Sequence, residues 1–342
     1  MLQIDRTREP NFEQFRATIL CQKADYVPLI ELAVHKDIKA KILGREMVTV
    51  KDNIEFWYKA GYDYAILPIR IDWTPQKKLQ ERFSWASEGK GFITTREEFE
   101  NYPWPQIEEF DFSYLKEAEK YLPKGMGVIF QQGDIFTQVW NLMGFTEFSY
   151  ALVENEELIK AMFEKIGSII TYCFEEAIKY PVVKCLWYSD DLAYTSGLLV
   201  QPEVYRKYLW QYVRRMSEAA EKINGPFIYH TDGVLYEIFD DFIEMGINAI
   251  HPIEPKSMNI LEVKKVVGNK LALCGHLEMD FPLTRGKPED VAEEARRLMK
   301  LMAPYGGYCL GSSNTIPDYV PLENYIAMVN TNHKYGKLPI KF

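Results

Sequence analysis

The chemistry-bearing residues of this chain collect where short apolar runs end. In Pro226–Gly233, PFIYHTDG, an apolar run breaks into His230, Thr231 and Asp232 and is closed by Gly233. A histidine and an acid two positions apart on a strand project to the same side, so His230 and Asp232 could hold one ion or serve one proton transfer. The next run, AIHPIE, ends in Glu254, and an acid at the end of the neighbouring parallel strand can come within ligand distance of the first two. His230, Asp232 and Glu254 therefore make a zinc set, at Zn–N and Zn–O lengths of about 2.0 to 2.2 Å, with His276 and Cys309 in reserve. Without a metal, a protonated Asp232 or Glu254 could supply a proton instead. Each residue taken singly also has a structural use: His230 could cap a helix, Asp232 could be the N-cap of a helix starting at 234, and Glu254 could pair with a lysine.

Polar residues at one run end after another favour a shared site, because buried polar groups cost free energy unless something satisfies them. The runs read as strands at Val27–Leu32, Tyr64–Ile69, Gly127–Gln131, Val182–Tyr188, Phe227–Tyr229, Ala249–Ile253, Leu271–Cys274 and Gly307–Leu310. At or just past their ends stand Glu31, Arg70, Gln131, Asp190, Asp191, His230, Asp232, Glu254, His276, Glu278, Ser312 and Asn314. Helical periodicity separates the runs, over 37–60 with Gly61 as a C′ glycine, 137–179, 203–222, 235–245, 260–267 and from Pro288 onward. Strands alternating with helices predict an α/β fold with a parallel sheet closed into a (β/α)8, or TIM, barrel whose strand ends share one face. A doubly wound open sheet competes, but no GxGxxG turn follows an early strand. One domain over 1–342 exceeds a barrel of roughly 250 residues, and the excess is assigned to an amino-terminal helical arm over 1–24 and an insertion after the second strand, 73–114. That insertion carries Trp73, Trp85 and Trp104, and Thr95 with Glu98 reads as a capping box within it.

Composition narrows the partners. With 47% hydrophobic and 26% charged residues, the 342-residue chain has ample material for a packed core. A formal charge of -9 without a basic stripe excludes a phosphate backbone as partner, so no nucleic acid is expected. No eighteen apolar residues run together and the first fifteen residues contain no h-region, so no membrane contact and a cytoplasmic location are expected. Five cysteines without CxxC spacing indicate neither a disulfide framework nor a zinc knuckle, and Cys274 and Cys309, inside apolar runs, read as core.

The segments IYHTDG, IHPIEP, ALCGHLEMDFPLTRGKPEDV and LGSSNTIPDYVPLENY resemble the uroporphyrinogen decarboxylase superfamily, most clearly over the last 150 or so residues. The resemblance implies a (β/α)8 barrel and one of two activities. Cofactor-free decarboxylases carry PxWxMRQAGR near the amino terminus and Gly-His-Gly at the last strand, where this chain has VPLIELAVHKD and Gly311-Ser312-Ser313-Asn314. Zinc-dependent methyltransferases carry H-x-C, an acid at the next strand and a Gly-Cys at the eighth. Here His230 matches the histidine, Asp232 stands in the cysteine's place, Glu254 matches the acid, and Ser312 or Ser313 stands for the second cysteine. An oxygen-rich set is a harder Lewis acid site than a thiolate set. HxDG with GSSN looks more like the methyltransferases that demethylate aryl methyl ethers.

The resemblance thus implies transfer of a methyl group from a small-molecule methoxylated donor to the cobalt of a corrinoid on a separate protein. A phenolate is a poor leaving group, its conjugate acid having a pKa of about 10, so the ether oxygen needs polarising by zinc or protonating by an acid. Asp232, Glu254, His230 and Asp191 are the expected catalytic groups, and Glu31, Arg70, Gln131, Asp190, His276, Ser312 and Asn314 are expected to bind substrate. The chain could also pair as a homodimer. A cofactor-free carboxy-lyase is the alternative.

Overall fold

Seven of the apolar runs form one parallel sheet in the computed structural model, which describes residues 3–73 and 91–340. The strands are β1 (Tyr64–Pro68), β2 (Gly127–Gly133), β3 (Val183–Ser189), β6 (Phe227–His230), β7 (Ala249–His251), β8 (Ala272–Leu277) and β9 (Tyr308–Ser312), hydrogen-bonded in that order. Between β3 and β6 lies a two-residue antiparallel hairpin, β4 (Ala193–Tyr194) with β5 (Gly197–Leu198), which the sequence did not lead us to expect. Helices separate the parallel strands, as parallel crossovers require, and the sheet curls into the barrel architecture.

The expected first strand differs from the rest. Val27–Leu32 forms no ladder and joins the sheet through an isolated parallel bridge, Leu29 to Leu310, with Ile30 N–H donating to Leu310 O and Leu310 N–H to Pro28 O. Pro28 has no N–H to donate, so this segment cannot pair continuously. Toward β1 and β2, contact runs through side chains: Glu31 N–H donates to the Tyr64 hydroxyl on β1 and Gln131 Nε2 on β2 donates to Leu32 O. Close backbone approach demands glycine here, since a Cβ on Gly311 would fall 1.8 Å from Ile30 O.

Register sets the strand ends level. Ser189 pairs with His230 and His230 with His251 in adjacent strands, while His276 pairs with Gly311. Trp187, Tyr188 and Tyr229 pack fully buried beneath these ends.

Several helices are shorter than their periodicity implied. The span 37–60 is two helices, Lys36–Leu43 and Val50–Lys59, divided at Gly44 in the left-handed region, and Gly61 takes φ +82° at the second helix's end as a C′ glycine does. The span 137–179 is three, Ile135–Met143, Phe145–Glu154 and Glu156–Ala177, interrupted at Gly144 and Asn155. Among the described residues of the amino-terminal arm only Phe12–Ile19 is helical; ahead of it the chain is strapped to the last helix, Thr7 to His333 and Arg8 to Asn332. Within 73–114, Trp85 lies outside the described residues. The described part holds a helix, Arg96–Glu100, with the Thr95–Glu98 capping box formed, and Trp104 packs on Tyr102, whose hydroxyl donates to Trp73 O. No helix among the described residues is long and apolar enough to cross a membrane.

Candidate active site at the strand ends

His230 ends β6 with its ring buried, and burial lowers its pKa, so the imidazole is neutral at neutral pH. Its Nε2 stands 3.9 Å from Asp191 Oδ1. The ligand atoms of Asp191, His230 and Asp232 all lie within 4.8 Å of one another. Burial, with the charges of Asp191 and Glu254 adding to it, pushes the Asp232 carboxyl up to about 7. One Asp232 oxygen accepts from Asn314 Nδ2 at 2.8 Å, and the other, Oδ1, is buried with no hydrogen-bond partner among the described residues. An orphaned buried oxygen beside a neutral imidazole nitrogen suits either a bound cation or a proton on Asp232.

Glu254 is not in that group. Its carboxylate accepts from Ser257 Oγ at 2.6 Å, and it reaches Asp232 through its charge. Asp191, read from the sequence as a catalytic acid, takes the third place because the Ser189–His230 register carries the chain just past β3 alongside β6.

The ring behind His230 had not been singled out in the sequence. His251, at the end of β7 and fully buried, places its Nδ1 2.9 Å from His230 Nδ1. Such a contact needs one N–H and one lone pair. If His230 Nε2 is to offer a lone pair to an ion, His230 Nδ1 must carry the hydrogen and His251 Nδ1 accept it, which leaves His251 Nε2, without a partner among the described residues, protonated. Trp187 and the His251 ring pack in a T-shaped arrangement. The signal lay in IHPIEP, where His251 stands in register with His230, but a histidine inside an apolar run reads as core.

The remaining candidates divide. Glu31 is fully buried, and burial raises its carboxyl to about 8 against the opposing effect of its contacts with Ser312 N–H and Oγ. Ser312 N–H donates to Oε1 at 2.9 Å and Ser312 Oγ lies 2.5 Å from Oε2; the same Oγ also contacts Asn314 O. One hydroxyl hydrogen cannot serve both acceptors, so a protonated Glu31 donating to Ser312 Oγ, which donates onward to Asn314 O, satisfies every atom. Glu31, Ser312 and Asn314 thus form a chain that ends on Asp232. His276, in the left-handed region at φ +77°, donates from Nδ1 to Ile253 O at 2.7 Å, which fixes Nε2 as its lone-pair nitrogen.

Asp190, expected to bind substrate, has its oxygens otherwise engaged. They accept from Phe136 N, Thr137 N, Thr137 Oγ1 and the Tyr188 hydroxyl at 2.5 to 2.9 Å, capping the helix Ile135–Met143 from the neighbouring strand. Asp134, whose residue conformation is left-handed, opens that helix without a side-chain cap of its own. Arg70 is exposed and pairs with Asp72 at 2.8 Å, and Gln131 reaches Leu32 O. Cys274 and Cys309 are buried on neighbouring strands, as core.

A family model described as Uroporphyrinogen decarboxylase (URO-D) matches residues 53–335. Among curated proteins, the chain is 27% identical over 179 residues to the methylcobamide:CoM methyltransferase MtaA of Methanosarcina barkeri, covering 51% of this chain and 49% of that protein. It is 32% identical over 81 residues to a uroporphyrinogen decarboxylase of Azoarcus sp. (strain BH72), 24% of this chain and 22% of that one. The chain spans half the length or less of these curated relatives. Among solved structures, a methyltransferase from Methanosarcina mazei superposes with a TM-score of 0.71 at 15% identity, over 96% of this chain and 99% of that one, which establishes the shared fold.

Proposed function

We propose, from the premise that this chain belongs to the uroporphyrinogen decarboxylase family, that it moves a methyl group from an aryl methyl ether to the cobalt of a corrinoid carried by a separate protein. The observation that carries this reading is the meeting of Asp191, His230 and Asp232 within 4.8 Å at the strand ends, with the Asp232 carboxyl raised to about 7. The partial match to a methylcobamide:CoM methyltransferase supports the methyl-transfer class, and the oxygen donors in place of thiolates support an ether as donor.

His230 Nε2 and Asp232 Oδ1 fit zinc, with Asp191 nearest to complete the set and Glu254 close enough to act on Asp232. Bound there, zinc would polarise the ether oxygen as a Lewis acid. The chain's own groups do the rest. His251 fixes the tautomer of His230, and Asn314 Nδ2 holds one oxygen of Asp232 so that the other faces the site. Where no zinc is bound to Asp232, a large share of it carries a proton near neutral pH, and that proton can pass from Oδ1 to the departing phenolate oxygen as the methyl–oxygen bond breaks. That proton would equally serve a carboxy-lyase, the second reading, which the partial match to a decarboxylase supports.

Incubation of the purified chain with a methoxyarene and cob(I)alamin separates the two. Methylcobalamin and the free phenol are the expected products; carbon dioxide release from a porphyrinogen without methylcobalamin from the ether would replace this reading with the second.

A further inference from the structure

We propose that a cavity beside Lys39 is a binding site for an organic carboxylate with a flat apolar body. The cavity, about 390 Å³, lies between the helices Lys36–Leu43 and Val50–Lys59 and the ends of β1 and β2. That volume is within the range of small-molecule sites. Its walls are largely apolar, formed by Leu32, Met47, Val50, Trp57, Ile66 and Tyr114.

Into this setting the fold places a cation. Lys39 is only 8% exposed, its Nζ donates to Asn53 Oδ1 at 2.9 Å, and it lies 5.1 and 5.0 Å from the ring centres of Phe56 and Trp57. Asn53 is neutral and is itself anchored to Ile66 O, and no carboxylate pairs with Lys39 among the described residues. A buried ammonium without a counter-charge is costly, and two ring faces and one amide offset only part of that cost. Burial accordingly lowers its pKa to about 8. Nζ has three hydrogens and one hydrogen-bond acceptor among the described residues, so a carboxylate could take the other two while its apolar body fills the space between Trp57, Tyr114 and the aliphatic wall. Gln131 and Thr49 add polar groups at the cavity's edge.

This site is independent of methyl transfer, and its test reads binding alone. Benzoate, titrated calorimetrically into the full chain, is expected to bind at least tenfold more tightly than the neutral benzamide. Lys39→Met, which removes the unpaired charge at similar volume, is expected to raise the melting temperature of the unliganded protein while weakening benzoate at least tenfold. Val50→Phe, which fills the cavity and keeps the lysine, should weaken benzoate likewise. No benzoate binding to the parent chain at millimolar concentration, equal binding of benzamide, or unchanged benzoate affinity in both variants would overturn the proposal.

Discussion

Asp232 stands between two demands, and its neighbours decide which it meets. Asp191 and Glu254 make its negative charge unfavourable, whereas a cation at His230 Nε2 would reverse that. Replacing His230 with alanine should abolish stoichiometric zinc retention, measured by metal analysis after dialysis; zinc at full occupancy would show that the ligands lie elsewhere. Glu31 offers a separate check on the buried acid chain. Its folded-state pKa is raised from 4.5 to about 8, so the folded protein holds a proton that the unfolded chain releases earlier. The stability it contributes is present below about pH 4.5 and is lost as pH rises through about 8. Glu31→Gln should therefore flatten the decline in stability over that window by a few kcal/mol, given about 1.4 kcal/mol per pKa unit, as read by denaturant titration at a series of pH values. An unchanged slope would show that Glu31 is ionised. His230 and Asp232 were legible in the sequence because polar residues closing an apolar run need no knowledge of tertiary structure, although β6 ends at His230 and Asp232 lies just past it rather than on the strand. Their juxtaposition with Asp191 was not, because it depends on the register between β3 and β6. The contact between His230 and His251 likewise depends on the register between β6 and β7.

At the scale of elements, each strand end either faces the site or supports a neighbour. Asp190 and Asp191 are adjacent, yet Asp190 points away to cap the helix Ile135–Met143 while Asp191 joins His230. Asp190→Ala strands two buried helix N–H groups and the Tyr188 hydroxyl, and is expected to cost about 3 kcal/mol, measured by urea denaturation; a loss below about 1 kcal/mol would mean that the helix start is held by other groups. Two adjacent acids after a strand look alike in a sequence, and only the direction of the following chain separates them. The parallel strands were readable from apolar runs closed by polar groups. The first of them was not correctly read as a ladder, because VPLIEL has strand composition while Pro28 limits its pairing to isolated bridges. Gly44, Gly144 and Asn155 divide spans whose apolar period continues across them, which explains why periodicity overestimated those helices.

At the scale of the molecule, a barrel brings residues from Glu31 to Asn314 to one mouth, and the family match over 53–335 agrees with the architecture read from strand and helix alternation. The proposed oxygen-rich set of Asp191, His230 and Asp232 would separate this chain's site from a thiolate pattern, and it is where a change of methyl donor would be encoded. In the proposed reaction Asp232 is the acid or ligand that activates the ether. Asp232→Asn preserves the side-chain shape and an oxygen for Asn314 Nδ2 while removing both the proton and the charge. Methylcobalamin formation from a methoxyarene and cob(I)alamin, followed for the parent chain and for Asp232→Asn at pH 7, is expected to fall by about 10² to 10⁴-fold in the variant with its melting temperature retained. An unchanged rate in the variant would contradict the assignment of the reaction to this site.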